Sequence, residues 1–401
     1  MNRRSVIIIG AGPAGLTAAR VLAGAGLADV LVLERAPEPG GLPRFAGHPG
    51  WGMEDFHRLL RGPAYARLLA AAARGAEVRC GASVVGLLPG GIVEVAGPAG
   101  IEQLAARAVL VATGIRETPR AARLVPGTRP WGVTTTGAFQ EMVYRGGMRP
   151  FRRPVIVGGE WVGFSALLAA RHGGIRPAAL IEEGARTAAP RALAWAAGRL
   201  FGVPVLTGTR LVEIRGAARV SAVVVQGADG RREIGCDGVI FSGLFRPESG
   251  LAEAVAAIDP ATGGPAIDNL FRLSDPAFFA AGNVIRGAER GAVAAAEGRQ
   301  AAACILRALA GALPAAEITV RAGGALRYAT PQRVAAEGGW LRFSGRPSRA
   351  AVRTGRARLR LLAEGETLAE RMVRIVPEGG LSLRVPVARL AGARTLRLVL
   401  E

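Results

Sequence analysis

Gly10, Gly12 and Gly15 follow a β-branched run, Ser5 to Ile9, and open an Ala/Leu segment in "SVIIIGAGPAGLTAARVLAGAG". Residues of this type at this spacing can hold a phosphate. Gly10 permits a tight turn, Gly12 lets the backbone approach a pyrophosphate, and Gly15 lets the following helix lie close on the sheet. Pro13 and Ala14 begin that helix, whose unpaired N–H groups and partial positive charge would face the anion. The next strand, "DVLVLER", ends in Glu34, nineteen residues past Gly15, with Arg35 after it. A carboxylate there is placed to accept from a ribose hydroxyl. The pattern implies a dinucleotide.

A second unit repeats the register with one change. "VIVGGEWVGF" supplies a strand, then Gly158, Gly159 and Gly163, and Glu182 again lies nineteen residues past the last glycine. The middle glycine of the motif is replaced by Glu160. A carboxylate about 4 Å from a phosphate costs on the order of 1 kcal/mol in water and ~4 kcal/mol at an effective dielectric near 20. The larger figure is roughly a thousandfold in affinity. Gly159 offers the turn a way to relax and point Glu160 outward. Two readings stay open. Either Gly158, Gly159, Gly163 and Glu182 form an NAD(H) site, with Glu182 or Glu183 preferring a free 2′-hydroxyl, or the unit is a scaffold that keeps only the fold.

Three further stretches carry turns. "ARAVLVATGIRETPR" stops a strand at Thr113-Gly114, and "DPAFFAAGNVI" stops one at Gly282-Asn283 before a long Ala-rich helix. "GGLPRFAGHPGWG" puts Gly41 and Leu42 in a loop that leads to Arg44 and His48. Together these segments resemble the two-domain flavoprotein oxidoreductases of the thioredoxin-reductase and sarcosine-oxidase-α type. The resemblance implies that the dinucleotide is FAD, held by the residues named around the first loop and these turns, and by Val84. It implies that Gly41-Leu42 wraps the pyrophosphate and that Asn283 stands where an acid would reach the ribityl chain. Arg44 could pair with a phosphate or with the flavin N1–C2 edge. His48 suits proton transfer beside a flavin, the one catalytic candidate in the chain; the plainer reading is a loop histidine bonded to a backbone carbonyl.

"GPAYARLL", "RLVPGTRPWGVTTTGAFQEMV" and "CDGVIFSGLFRPES" extend the likeness along most of the chain. The sequence is similar to the α subunits of sarcosine, opine, proline and cyanide-forming glycine dehydrogenases. It is also similar to the flavoprotein that accompanies glycerol-3-phosphate-dehydrogenase-like proteins. Departures from those relatives are Ala46 where they carry a cysteine, the plain "GAVAAAEG" helix start, and a C-terminal part with no cysteine-rich segment.

These sites need strands, turns and helices at βαβ spacing. The sequence therefore predicts an α/β fold: two doubly wound, Rossmann-like nucleotide-binding domains, the second inserted in the first, plus a small C-terminal β-rich domain. The expected boundaries are 1–118 and 271–312 for the FAD-binding domain, 119–270 for the inserted NAD-binding-like domain, and 313–401 for the last. Beyond Leu313 the chain reads as short alternating segments between Gly and Pro, such as "WLRFSGRP", "AAVRTGRARLRLLAEG" and "ERMVRIVPEGGLSLRVP", the pattern of an antiparallel sheet or small sandwich.

Composition bounds the rest. The net charge is +20, carried by arginine alone, and residues 313–401 hold 16 arginines against 7 acids. Arginine runs with interleaved aromatics are absent, which disfavours nucleic acid. Cys80, Cys236 and Cys304 are far apart, with no C-x-x-C, so no zinc or redox-dithiol spacing exists and a reducing, cytoplasmic compartment is expected. No metal-ligand cluster stands out, and no apolar run is long enough for a membrane span. The first apolar run is consumed by the glycine motif, so "NRRSVIII" reads as a strand and not an export signal.

The expected function is an FAD-dependent oxidoreductase subunit. It would pass electrons between its flavin and a partner flavoprotein or acceptor, in a hetero-oligomer that oxidises a small amine or hydroxy acid. The alternatives are a stand-alone NADH-dependent flavin reductase and a non-catalytic FAD-binding scaffold.

Overall fold

The computed structural model describes residues 3–98, 100–348, 355–376 and 379–401. The beginning of "AAVRTGRARLRLLAEG", residues 350–354, and residues 377 and 378 of the segment after it lie outside the described residues.

The β-branched run at the start forms a parallel strand, Arg3–Ile9, buried from Val6 onward, between Val30–Glu34 and Gly100–Val111. Burial on both faces explains why these strands read as continuous apolar runs instead of alternating ones. Glu77–Cys80 extends the sheet beyond Val30–Glu34. Gly100–Val111 serves three partners: its first half pairs antiparallel with Ile92–Gly97, while Val109 to Val111 pair with Phe278–Ala280 and with Arg3–Ile9.

Helices Pro13–Gly24 and Gly291–Leu309 pack on one face through small residues. A Cβ on Gly298 would meet the Ala14 carbonyl oxygen at 2.1 Å, and one on Gly282 would meet the Ala14 methyl at 2.8 Å. Ala294, Ala295, Ala301 and Ala302 are buried along the same seam. The plain "GAVAAAEG" is therefore what lets the last helix lie on the first.

The second sheet is wholly parallel, in the order Val133–Thr135, Val239–Phe241, Val155–Val157, Ala179–Ile181, Val205–Leu206. A three-stranded antiparallel sheet, Arg210–Gly216, Val220–Gly227 and Gly230–Gly235, packs beside it. The chain passes between the first sheet and the second twice, and the two passages, Ile115–Arg116 and Arg246–Pro247, pair with each other as a short antiparallel ribbon.

The C-terminal part is a sandwich of two sheets. One runs Arg333–Val334, Ile318–Gly324, Thr395–Leu400, Gly355–Ala363, Glu366–Ile375; the other is Leu326–Thr330, Trp340–Pro347, Leu381–Pro386. Leu359, Leu361, Leu396 and Leu398 from the first sheet bury against Phe343, Leu383 and Val385 from the second. The period-two pattern is thus an inner apolar and outer polar face.

Candidate functional site

A continuous cleft of about 3220 Å³ runs past both glycine loops and reaches the C-terminal sandwich. Ordinary small-molecule pockets hold roughly 300–1,000 Å³, so this one has room for extended ligands.

At the first loop, Gly10 has φ +105, and a Cβ there would strike the Ala112 carbonyl oxygen at 2.5 Å. Gly15 is as tight, its Cβ position lying 1.9 Å from the Gly10 carbonyl oxygen. Both glycines shape the turn; Gly10 also lines the cleft, whereas Gly15 does not. Gly12 differs: its backbone is ordinary, and the nearest atom to its Cβ position is the Gly41 Cα, 4.0 Å away. No side chain caps the helix that starts at Pro13. The Gly40 N–H donates to the Ala11 carbonyl at 2.7 Å, which brings the Gly41-Leu42 loop over the phosphate-facing turn. Glu34 is buried, accepting from the Ala11 N–H and the Ala36 N–H, both at 2.9 Å. Its carboxylate thus holds the turn and still lines the cleft with Arg35, Leu42 and Arg44.

The remaining first-site residues divide. Thr113, Gly114 and Asn283 line the cleft, whereas Gly282 and Val84 do not. Val84 instead packs against the buried layer under the sheet. The Thr113 hydroxyl donates to the Glu248 carbonyl at 2.7 Å, and the Gly114 carbonyl accepts from the Glu248 N–H at 2.9 Å. The turn is tied to the inter-domain ribbon by these bonds. The Asn283 amide is occupied on both sides by Glu289: its Nδ2 donates to the Glu289 carbonyl at 3.1 Å, and its Oδ1 accepts from the Glu289 N–H at 2.8 Å. Asn283 therefore closes its own loop, a role an aspartate could fill only in part. Arg44 is folded back, donating from Nε to the Gly41 carbonyl at 3.2 Å, with its guanidinium over the Phe45 ring.

His48 shows the plainer geometry. Its Nδ1 lies 2.8 Å from the Pro49 carbonyl oxygen, and since a carbonyl only accepts, Nδ1 carries the proton and Nε2 is the acceptor in the neutral ring. The imidazole lines the cleft beside Trp51, with ring centroids 6.1 Å apart. Trp51 was not singled out by spacing or type. Its indole also packs on Tyr65, and its Nε1–H is buried without a partner among the described residues. A buried donor at a cleft wall calls for a ligand acceptor.

The second loop copies the first and then departs. Glu182 accepts from the Gly159 N–H at 2.7 Å and the Gly184 N–H at 2.8 Å, the counterpart of Glu34. Gly163 packs on the Gly158 carbonyl as Gly15 does on Gly10. Gly158 and Glu182 line the cleft; Gly159 and Gly163 do not. Glu160 begins the helix Trp161–His172 and does not point outward. Its carboxylate turns in over Gly158 and Gly243 and accepts from the Ser242 hydroxyl. Burial raises its carboxyl above the ordinary range; the Ser242 bond opposes that, and the nearby Glu182 reinforces it. Glu117 is raised mainly by burial too, with Glu160 among its charged neighbours, and its Oε2 accepts from the Gly137 N–H at 2.6 Å. The first loop offers an open helix end with an acid at the cleft wall, which fits FAD. The second has its anion position filled by its own carboxylate and does not fit a pyrophosphate.

One network was invisible in the sequence. Arg286, buried, pairs with Glu297 and lies 3.3 Å from Glu289; Arg346 of the sandwich also reaches Glu289 at 3.3 Å and donates to the Gly287 and Ala288 carbonyls. Glu297 in turn accepts from the Gly282 N–H at 3.1 Å. The loop under the cleft is held from both the last helix and the sandwich.

None of the three cysteines lines the cleft. Among the described residues no group of three or more His, Cys, Asp or Glu is arranged for a metal, and no helix is long and apolar enough to cross a membrane.

A family model described as pyridine nucleotide-disulphide oxidoreductase matches residues 4–298. No curated protein matches the chain. Among solved structures, the thioredoxin reductase of T. acidophilum is similar at 24% identity and TM-score 0.65, over 76% of this chain and 98% of its own. A NAD-dependent persulfide reductase from A. fulgidus is similar at 21% identity and TM-score 0.61, over 95% of this chain and 71% of its own. The L-proline dehydrogenase of P. horikoshii is similar at 19% identity and TM-score 0.57, over 77% of this chain and 56% of its own. At these identities the likeness is one of fold.

Proposed function

Because the chain belongs to the pyridine nucleotide-disulphide oxidoreductase family, whose members use FAD and NAD(P)H, and is an FAD-dependent oxidoreductase, we propose that it works as one subunit of a cytoplasmic hetero-oligomer. It passes electrons between its flavin and a partner flavoprotein or acceptor while a small amine or hydroxy acid is oxidised. Bound FAD supplies the two-electron chemistry. Gly12 and the uncapped helix end receive its phosphates, Glu34 its ribose, and Trp51 Nε1–H an acceptor along the cleft wall.

The observation that carries this reading is the contrast between the two glycine loops. The first is open at Gly12 and the second is filled by Glu160, so reducing equivalents enter from a substrate or partner in preference to NADH. The thiols support the same conclusion. Burial pushes Cys236 and Cys304 up to about 11 and raises Cys80 as well. A substrate disulfide would meet no thiolate in the cleft.

The test is anaerobic mixing of the FAD-loaded protein with NADH, followed by flavin absorbance. At neutral pH the wild-type flavin should bleach slowly, and Glu160→Gly should bleach it at much lower NADH concentration, about a hundredfold or more. Rapid bleaching of the wild type at micromolar NADH would instead establish the stand-alone reductase.

The pH dependence has a definite sign. Glu160 is raised, so it repels phosphate when ionised above its folded pKa and ceases to do so when protonated below it. NADH affinity of the wild type should therefore climb as pH falls through that range, while Glu160→Gln shows no such climb. Equal pH profiles for the two proteins would remove Glu160 from the explanation.

A further inference from the structure

The outward face of the larger sheet in the C-terminal sandwich carries arginines directly opposite one another. Across Ile318–Gly324 and Thr395–Leu400 the register places Arg321 beside Arg397. Across Gly355–Ala363 and Glu366–Ile375 it places Arg356 beside Arg374 and Arg358 beside Met372. These strands are neighbours in one sheet, and their alternate residues, Val320, Leu396, Leu359 and Ile375, are buried in the core, so the arginines share the solvent side. Among the described residues Glu370 and Glu401 pair with Arg358 and Arg360. Among the described residues Arg321, Arg356, Arg374 and Arg397 are exposed and meet no carboxylate. Like charges facing across a ladder destabilise a sheet, so the isolated fold gains nothing from this arrangement.

We propose that this face docks an acidic protein surface. Met372, 56% exposed, stands opposite Arg358 on the same strand as Arg374, and Arg and Met are residues that protein interfaces enrich. Among the described residues this face presents no aromatic side chain on which a base could stack. Glu366–Ile375 is an edge strand with one side unpaired, and its Arg374 end runs into Val376, which lines the cleft with Gly379 and Gly380. A partner seated on Arg356 and Arg374 therefore stands next to a segment that lines the cleft. The inference rests on the charge and register of the sheet and would survive a different reading of the redox chemistry.

The test compares two variants of the FAD-loaded full chain that lose the same charge. One carries Arg321→Gln, Arg356→Gln, Arg374→Gln and Arg397→Gln. The control carries Arg20→Gln, Arg74→Gln, Arg149→Gln and Arg232→Gln, all exposed and none lining the cleft. Binding of a glutamate homopeptide, an oligonucleotide of equal charge and vesicles of anionic phospholipid is measured at low and moderate salt. Homopeptide affinity should fall about tenfold in the face variant and little in the control, with oligonucleotide and vesicle binding falling equally in both. Equal loss of homopeptide binding in the two variants overturns the proposal. So does a loss confined to the face variant for oligonucleotide or for vesicles, which would assign the face to nucleic acid or membrane. Thermal unfolding identifies folded protein: the face variant should melt no lower than the control, since the opposed charges are gone.

Discussion

Gly12→Glu should give a folded, colourless protein. The substitution writes into the first loop what Glu160 already is in the second. Gly12 has φ −83, an ordinary value, and only the Gly41 Cα lies within 4.0 Å of its Cβ position, so the glutamate needs no backbone change. Its carboxylate then stands in the path of the FAD pyrophosphate. At about 4 Å the repulsion is ~4 kcal/mol for an effective dielectric near 20, which is roughly a thousandfold in affinity. Flavin content after purification and after incubation with excess FAD is the measurement, with far-ultraviolet dichroism reporting the fold. Gly10→Ala is the contrasting variant. With φ +105 and a contact at 2.5 Å to the Ala112 carbonyl oxygen, it should lose stability along with flavin. A yellow Gly12→Glu protein with one equivalent of FAD would place the cofactor elsewhere and withdraw the first loop as its site.

The parts of this site legible in the sequence are those in which one short segment makes both shape and contact. Gly10, Gly12, Gly15 and Glu34 lie within one βαβ unit, so spacing alone locates turn, helix end and acid. The same logic exposed Glu160 as the misfit of the second unit. Its partner was not legible: Ser242 is 82 residues away, and only the parallel pairing of Val155–Val157 with Val239–Phe241 brings the two strand ends together. Asn283 was visible as a turn residue, but its bonds to Glu289 depend on how the following loop curls. Val84 was placed by resemblance, and the fold puts it behind the cleft wall. Trp51 carried no spacing signal at all. An indole becomes informative only once its Nε1–H is seen buried without an acceptor. In the sandwich, alternation foretold strands with one wet face, yet nothing local could pair Thr319 with Thr395, because a parallel pairing across most of the domain is set by the whole core.

The glycine loops also show why sequence likeness and chemistry can part company within one family. Both units keep the acid that ties strand end to turn, Glu34 to Ala11 and Glu182 to Gly159, because that bond stabilises the fold whether or not a nucleotide is present. At the middle motif position a side chain costs the architecture little: a Cβ on Gly12 would meet only the Gly41 Cα, at 4.0 Å, whereas one on Gly10 or Gly15 would strike backbone oxygen. In this chain that position is Gly12 in the first unit and Glu160 in the second.

Removing Arg286 should be the most destabilising single change near the cleft. Burial alone would lower its guanidinium, and the Glu297 and Glu289 carboxylates more than reverse that, which keeps it protonated. Arg286→Ala leaves those two acids facing each other in a dry loop, beside Arg346 alone. Breaking a buried pair from one side costs about 3–5 kcal/mol, whereas replacing both partners by neutral groups of similar size is often close to neutral. The double variant Arg286→Met/Glu297→Gln should therefore be more stable than Arg286→Ala or Arg286→Met, although it carries more changes. Flavin retention should follow the same order, because Glu297 holds the Gly282 N–H and Glu289 holds Asn283 at the cleft. Denaturant unfolding of the FAD-free proteins gives the stability ranking, and flavin release during dialysis gives the second. If the single and double variants unfold alike, the pair contributes no coupling and the loop is fixed by Arg346 and its carbonyl partners instead. If stability falls while flavin stays bound, the loop supports the sandwich junction and not the cofactor cleft.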